Sequence, residues 1–518
     1  MRAMPAETSR NRTRTLLVVA GEFPPLKTIG RIRTVKFVEH LRAHGWQCIV
    51  VTLAPTGLEP NYDASLLAEI AEGVEVIRLP LVDLEAKIAR FAKRLLGRGD
   101  SAGSGTTYGP SAAGEGAGTK EALNKSVHPE LVEGQSIEKQ GLRQAQPERS
   151  GINQRLAEAP QAGGGLLDHA HGVVRWVLRN FVDIPDSYAP WARAATRECL
   201  RLCAERRIDA IYTTLPPFSS IFVGHALRRK TGLPWIVDYR DLWYGDVLRE
   251  WLPDWRKRLE LRIEKKLLRA ADLVVTVSEP KTAYMQRLHP QVKARWETLT
   301  NGYDIELYDT RGRTRPFGKG RRQFVYTGRL FKNRRGYAFA EALGRIYQSD
   351  AALAEQVSVR ILGGVDREIQ ARYDEILARY GIAHLYDFAG DVGYAEAMDA
   401  QVNCDYLLLI VDTGETSDGV IPGKLFEYVA ARRPIFALCD PGATQQIIER
   451  AKLGRAVPAE SVEACETMLR EWLAQPVSEK VESDDAYLAQ FDRRAITARF
   501  AGLLDELVAS HVNGGRRR

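Results

Sequence analysis

Apolar residues along this chain fall in short unbroken runs, separated by longer stretches in which they recur every three or four positions. That is the pattern of buried strands alternating with helices. The runs Thr15–Ala20, Cys48–Leu53 and Val74–Leu79 read as strands, and Arg31–His44, with Val35, Val38 and Leu41 on one face and Gly45 behind it, reads as a helix. Further on, the pattern predicts a helix over Trp191–Glu205, a strand at Asp209–Thr214, a turn at Pro216–Ser220, a strand in the apolar half of Pro234–Trp243, and strands at Asp272–Val277 and Trp296–Asn301. The second half repeats the alternation, with strands at Gln323–Thr327, Val357–Leu362, Asp387–Ala389, Tyr406–Ile410 and Pro434–Leu438 and helices at Glu463–Leu473 and Arg494–Ala509. Such alternation makes a doubly wound parallel sheet that gathers ligands at the carboxyl ends of its strands. The expectation is an α/β chain of two facing Rossmann-like domains, residues 12–310 and 320–482. The Gly- and Arg-rich Arg311–Arg322 is the expected linker, and 483–510 is a helical segment returning to the first domain.

Residues 98–165 break the pattern: they are rich in Gly, Ser, Ala, Gln and Glu and poor in large apolar residues, so a disordered insertion is expected there. Suitable codons for 129–133 (PELVE) have a reverse complement that, frame-shifted, encodes 142–146 (LRQAQ), a pairing that resembles translated palindromic elements of bacterial genomes. The Gly-rich pieces inside it follow no strand and do not read as phosphate loops.

The 518 residues are 45% apolar, enough for more than one core, and 73 basic against 66 acidic residues leave a formal charge of +7. A surplus that small suits a phosphorylated ligand or an anionic membrane surface and does not demand nucleic acid. Six scattered cysteines without metal-type spacing read as reduced thiols, and no apolar run is long enough to span a bilayer, so the expected place is the cytoplasm or the inner face of the cell membrane. Two segments, Asp83–Arg98 and Leu248–Ala270, combine basic residues with apolar ones at helical spacing, a pattern shared by membrane-surface helices and by solvated faces.

The chemistry concentrates in Ser417–Leu438, a glycine-bearing loop, a helix and a strand. Pro422 suits the first helical turn, so the N–H groups of Gly423, Lys424 and Leu425 are expected to face the loop, where a helix N-terminus and the Lys424 charge attract anions. Glu427, one turn on, is placed to accept from sugar hydroxyls. At the end of the first second-half strand, Gly328 and Arg329 are followed by Lys332, Arg334 and Arg335. In the first half, Gly30 lies at one strand end, and Asp238, Arg240 and Asp241 lie at another. The chain contains no Asp-x-Asp, which argues against a metal-dependent sugar-nucleotide fold.

In order along the chain, FPP with Gly30 and Arg33, TLPPFSS (Thr214–Ser220), PWIVDYRDLW (Pro234–Trp243), ADLVVTVS, TNGYD, YTGRL (Tyr326–Leu330) and PGKLFEY (Pro422–Tyr428) resemble the retaining glycosyltransferases of family 4, which have the GT-B fold. The resemblance covers both halves and skips the insertion. It implies transfer of a sugar, with retention and without a metal or other cofactor, from a nucleotide diphosphate sugar to a saccharide or lipid-linked acceptor, as in bacterial surface polysaccharide assembly. It places Arg329, with Lys332, Arg334 or Arg335, on the donor diphosphate, helped by Gly423 and Lys424, and Glu427 on the ribose. Asp241 first, and then Asp238, lie where the family contacts the transferred sugar. Gly30 and Arg33 belong to the first-domain glycine loop. Two departures stand out: Gly419 occupies the position of a second glutamate that many members carry, and the first glycine loop has one glycine where many have two. An epimerase of the same architecture and a non-catalytic sugar-nucleotide binder are the competing readings. If the insertion is functionless, deleting Ser101–Gly163 leaves activity intact in a transfer assay; a large loss gives the segment a role.

Overall fold

A computed structural model describes residues 13–81, 184–477 and 481–515, apart from 58, 60, 247–248, 250–251, 310–311, 313 and 316–319. The insertion and the basic segment Asp83–Arg98 lie outside the described residues. The first lobe is a seven-stranded sheet in the order β3-β2-β1-β4-β5-β6-β7. Its strands are β1 (Arg14–Val19), β2 (Trp46–Ala54), β3 (Glu75–Pro80), β4 (Ala210–Leu215), β5 (Trp235–Tyr239), β6 (Leu273–Thr276) and β7 (Arg295–Thr298). The second lobe is a six-stranded sheet in the order β10-β9-β8-β11-β12-β13, built from β8 (Arg322–Thr327), β9 (Val357–Leu362), β10 (Tyr386–Gly390), β11 (Tyr406–Ile410), β12 (Ile435–Leu438) and β13 (Gly454–Val457). Every neighbouring pair is parallel. Strand β13, a four-residue edge interrupted by an arginine, gives no apolar run and was not foreseen.

Both faces of each sheet are buried, which is why the strands read as continuous apolar runs. In β1, Leu17 and Val19 face a core shared with α2 (Ala189–Glu205) and α3 (Ser220–Thr231), through Trp191, Cys199, Ile221 and Leu227. Leu16 and Val18 face the opposite core, shared with α1 (Ile29–Leu41) through Val35, Phe37 and Leu41. The final helix α12 (Arg493–Gly515) closes that second core, with Phe500 4.8 Å from Phe37 and 5.5 Å from Tyr212. The helices between are α4 (Asp254–Leu268), α5 (Glu279–Leu288), α6 (Tyr337–Ser349), α7 (Arg367–Tyr380), α8 (Tyr394–Asn403), α9 (Gly423–Ala431), α10 (Ala443–Arg450) and α11 (Val462–Ala474). Among the described residues no helix is long and apolar enough to cross a membrane.

The chain joins the second lobe earlier than the linker reading placed it. Tyr303 and Tyr308 already pack with Leu407, Leu409 and Phe426, while Thr314 and Arg315 donate backbone N–H groups to Asn403 Oδ1 at 2.7 and 3.0 Å. The parts of Arg311–Arg322 that are described are therefore bonded to the second lobe rather than strung between the two.

Truncating Phe500, which is 1% exposed, removes the ring that binds α12 to the first sheet. Phe500→Ala should cost about 3–5 kcal/mol in denaturant unfolding; a loss below about 1 kcal/mol means that α12 does not share the first lobe's core.

Candidate functional site

Helix α9 starts where the second sheet delivers its strand ends. Pro422 is its N-cap rather than its first helical residue, with extended backbone, and no side chain caps it. The Leu425 N–H is taken by the Pro422 carbonyl at 2.9 Å, so Leu425 leaves the expected set of open donors. Gly423 and Lys424 meet no acceptor among the described residues and remain in it.

Two tyrosines fix this helix against the end of β8. Tyr428, on α9, accepts the Thr327 N–H at 2.9 Å and reaches the Leu408 carbonyl at 3.3 Å. Tyr326, on β8, accepts from Lys424 Nζ at 2.8 Å, and its hydroxyl donates to the Arg329 carbonyl at 3.0 Å. The ammonium also lies 3.9 Å from the Tyr326 ring centroid, a cation–π contact. The loop after β8 approaches β9 so closely that a Cβ on Gly363 would sit 2.4 Å from the Gly328 carbonyl; Gly363, at φ 141°, is required there.

Around Lys424 the structure gathers Arg334, Asp412 and Glu427. Arg334 donates to Asp412 Oδ2 at 2.7 Å, while Arg334 Nε and Asp412 Oδ1 are buried without a hydrogen-bond partner. Burial pulls the Arg334 pKa down, but Asp412 and the Tyr326 phenol outweigh it and the net displacement is upward. Lys424 goes the other way. Burial lowers its pKa well below the usual lysine range, Arg334 adds to the lowering, and Asp412 and Glu427 offset only part of it. Glu427 is raised by burial, against the hydrogen bond from Gln401 and the charges of Lys424 and Arg493. Two cations thus sit in a desolvated site with N–H groups beside them, an arrangement that takes a polyanion.

Gln401, fully buried on α8, holds Glu427 in place. Its amide donates to Glu427 Oε2 at 3.1 Å and to Thr327 Oγ1 at 3.0 Å, and its carbonyl accepts from Tyr308 at 2.9 Å. Nothing in the sequence marks Gln401 or Tyr308, and Tyr326, which opens the YTGRL motif, gives no sign of its role because its partner Lys424 lies 98 residues away. Asp412 follows directly from its place at the end of β11.

The other cations named from the sequence are spread more widely. The Arg329 guanidinium reaches Asp366 at 2.6 and 2.9 Å, Arg335 reaches Glu460 at 2.8 Å, and Lys332 is exposed. The backbone of Arg329 is tied to the Lys424 group through Tyr326.

On the first lobe, Asp238 does not face the crevice. It is fully buried, with Arg33 donating to both oxygens at 2.9 and 3.0 Å and Tyr212 to one at 2.5 Å. Burial lowers the Arg33 pKa, but Asp238 reverses this and the net shift is upward. Arg33 and Asp238, expected at the glycine loop and the reacting sugar, instead clamp α1 to β5. Arg240 joins the same rim by pairing with Glu22 at 2.8 Å, and Asp241 beside it is half-buried. Gly30 stands at the start of α1, whose first residue, Ile29, is 50% exposed.

The lobes meet at this rim. Ser278 donates to the Gly419 carbonyl at 2.7 Å, Thr416 donates to the Gly245 carbonyl at 3.0 Å, and the Cβ position of Gly423 is 3.6 Å from the Ile29 side chain. A Cβ at Gly419 would come within 2.9 Å of Lys281, so in this arrangement a glutamate at that position requires Lys281 to shift.

Two parallel α/β sheets that meet at the carboxyl ends of their strands form the GT-B architecture, and known structures agree. The chain is similar to sucrose-phosphate synthase from Thermosynechococcus elongatus (16% identity, 96% of this chain and 100% of the other covered, TM-score 0.56). It is also similar to a glycosyltransferase from Rickettsia africae (11% identity, 96% and 99% covered, TM-score 0.54) and to Anabaena HepE in complex with UDP and glucose (13% identity, 95% and 100% covered, TM-score 0.53). Residues 144–302 match the model of the glycosyl transferase 4-like domain, in line with the family 4 resemblance. No curated protein matches it in sequence.

An anion entering the site favours charged Lys424 and raises its pKa, so binding takes up protons at pH values between the free and bound values. Calorimetry of inorganic pyrophosphate at alkaline pH should give enthalpies that differ between buffers of unlike ionisation heat, with the difference lost in Lys424→Met. Equal enthalpies in both buffers remove the depressed lysine from the site.

Proposed function

We propose that this protein transfers a sugar, with retention of configuration, from a nucleotide diphosphate sugar to a saccharide or lipid-linked acceptor in bacterial cell-surface polysaccharide assembly. The observation that carries the reading is the placement of Lys424, Arg334 and Glu427 around one helix start that faces the first lobe. HepE, a structural neighbour, is described in complex with UDP and glucose, which supports a uridine nucleotide as the first donor to test.

In this reading the departing diphosphate lies over the α9 N-terminus, where the Gly423 and Lys424 N–H groups, the Lys424 ammonium and Arg334 meet its charge without a metal. Arg334 then exchanges part of its contact with Asp412 for phosphate oxygens, and its unpartnered Nε supplies a further donor. Arg329 reaches the phosphates only by leaving Asp366, and Lys332 stands at the outer margin. Glu427, oriented by Gln401, accepts from the ribose hydroxyls. The acceptor enters from the first lobe. Asp241 is the residue there assigned to the reacting sugar, since Asp238 is held inside by Arg33. The leaving phosphate takes the acceptor proton on the same face, so no side-chain nucleophile is needed.

UDP, screened beside other nucleoside diphosphates and their sugars, should raise the melting temperature. Glu427→Ala and Lys424→Ala should each weaken binding of the best nucleotide by about 1.5–3 kcal/mol, and unchanged calorimetric affinity in both removes the grip from the account. Asp241→Asn should depress turnover while sparing nucleotide binding; surviving turnover reassigns the role. Product analysis separates transfer from epimerisation, because only transfer releases nucleoside diphosphate in step with a glycosylated acceptor.

A further inference from the structure

Helix α4 buries two of its three acids and leaves a row of bases outside. Glu260 and Glu264 are 2% and 0% exposed and point into the first lobe. Glu260 accepts from Trp243 Nε1 at 2.7 Å and from Arg249 and Arg256 at 2.6 Å, and Glu264 accepts from Tyr239 at 2.9 Å. The third acid, Asp254, sits in the first turn, where the helix dipole favours it. Beyond exposed Asp254 at the start of the row, what lies outside is cationic: Arg258, Arg262 and Lys266, followed by Arg269 just past the helix end, are all exposed. Their spacing places them in one row along the helix. Among the described residues none of the four has a carboxylate partner, whereas exposed Arg201, Arg295 and Arg372 each pair with two.

Two observations extend this row. Trp255, 44% exposed, stands at its N-terminal end on the same side of the helix. On α3, exposed Arg229 lies close enough that, after burial, Arg229 and Lys266 are the charges that lower the pKa of His225. The row is also tied to the crevice. Glu260 holds Trp243, in the loop that leaves β5 beside Asp241, which ties the buried face of α4 to the strand end where the acceptor is proposed to enter.

We propose that the outer face of α4 docks this protein on an anionic lipid bilayer, with Arg258, Arg262, Lys266 and Arg269 over the headgroups and Trp255 in the interface. A straight cationic row matches a plane of negative headgroups, and a tryptophan at its end has the amphipathic ring that the interface favours. The docking rests on the transferase reading only for its purpose, the delivery of a lipid-linked acceptor to the first-lobe rim. The surface itself is defined by charge and exposure.

The test is flotation of the full chain, without substrate, on phosphatidylcholine vesicles with or without phosphatidylglycerol. Binding is expected only with phosphatidylglycerol, falling as salt rises and shifting Trp fluorescence to the blue in a manner lost in Trp255→Phe. The combined variant Arg258→Glu, Arg262→Glu, Lys266→Glu should partition at least about 100-fold less, with its melting temperature and its thermal response to UDP unchanged. If that variant does not fold, the salt dependence and the Trp255 signal of the unaltered chain carry the decision. Equal binding to both vesicle types, undiminished binding by the folded variant, or displacement by a short duplex RNA overturns the proposal. Because nucleotide binding is measured separately, its failure and the failure of docking are told apart.

Discussion

The pinning of α9 across the end of β8 by two tyrosines is the constraint on which the site depends. Tyr428 engages the last β8 residue from the helix, and Tyr326 engages Lys424 from the strand, so helix start and strand end are fixed to each other in both directions. Each bond is worth about 1 kcal/mol on its own. Their greater effect is geometric, because a helix N-terminus binds an anion only if its first N–H groups and the neighbouring cations converge on one point. Gln401 extends the same constraint to Glu427 and, through Tyr308, to the segment by which the chain enters the second lobe.

This arrangement is electrostatically unrelieved. Lys424 and Arg334 share a desolvated space with Asp412; burial and then Arg334 lower the lysine pKa, and burial raises the glutamate pKa against the pull of Gln401, Lys424 and Arg493. A pair of desolvated cations costs folding free energy, which fits the proposed binding of a polyanion there. The first lobe shows the opposite balance. Arg33, Asp238 and Tyr212 satisfy one another inside the sheet, and a closed network of that kind positions α1 and β5 without offering a charge to a ligand.

The fold was legible because strands buried on both faces leave continuous apolar runs, and a misplaced boundary of one or two residues does not alter strand order. β13 escaped because a short edge strand carrying Gly454 and Arg455 has no such run. Lys424 and Glu427 were legible from local position, a helix start and the turn after it. Gln401 was not: its partners lie 26 and 74 residues away, and no local pattern encodes such a meeting. Asp238 illustrates the converse. A carboxylate at a strand end looks like rim chemistry until Arg33, 205 residues earlier, is found to hold it inside.

The contacts between the lobes differ in kind from those within them. Ser278 and Thr416 each cross the boundary to donate to a backbone carbonyl, of Gly419 and Gly245, and no buried ion pair among the described residues supports them there. Neutral hydroxyl-to-carbonyl bonds are weak and easily exchanged with water, whereas breaking a network such as Arg33–Asp238 strands a buried charge. Free energy is therefore concentrated inside each lobe, and the boundary is the part of the structure that yields at least cost. Glycine at position 419 keeps that boundary close, because a side chain there would meet Lys281 of the first lobe, whereas one at Gly245 would meet Tyr284 within its own lobe.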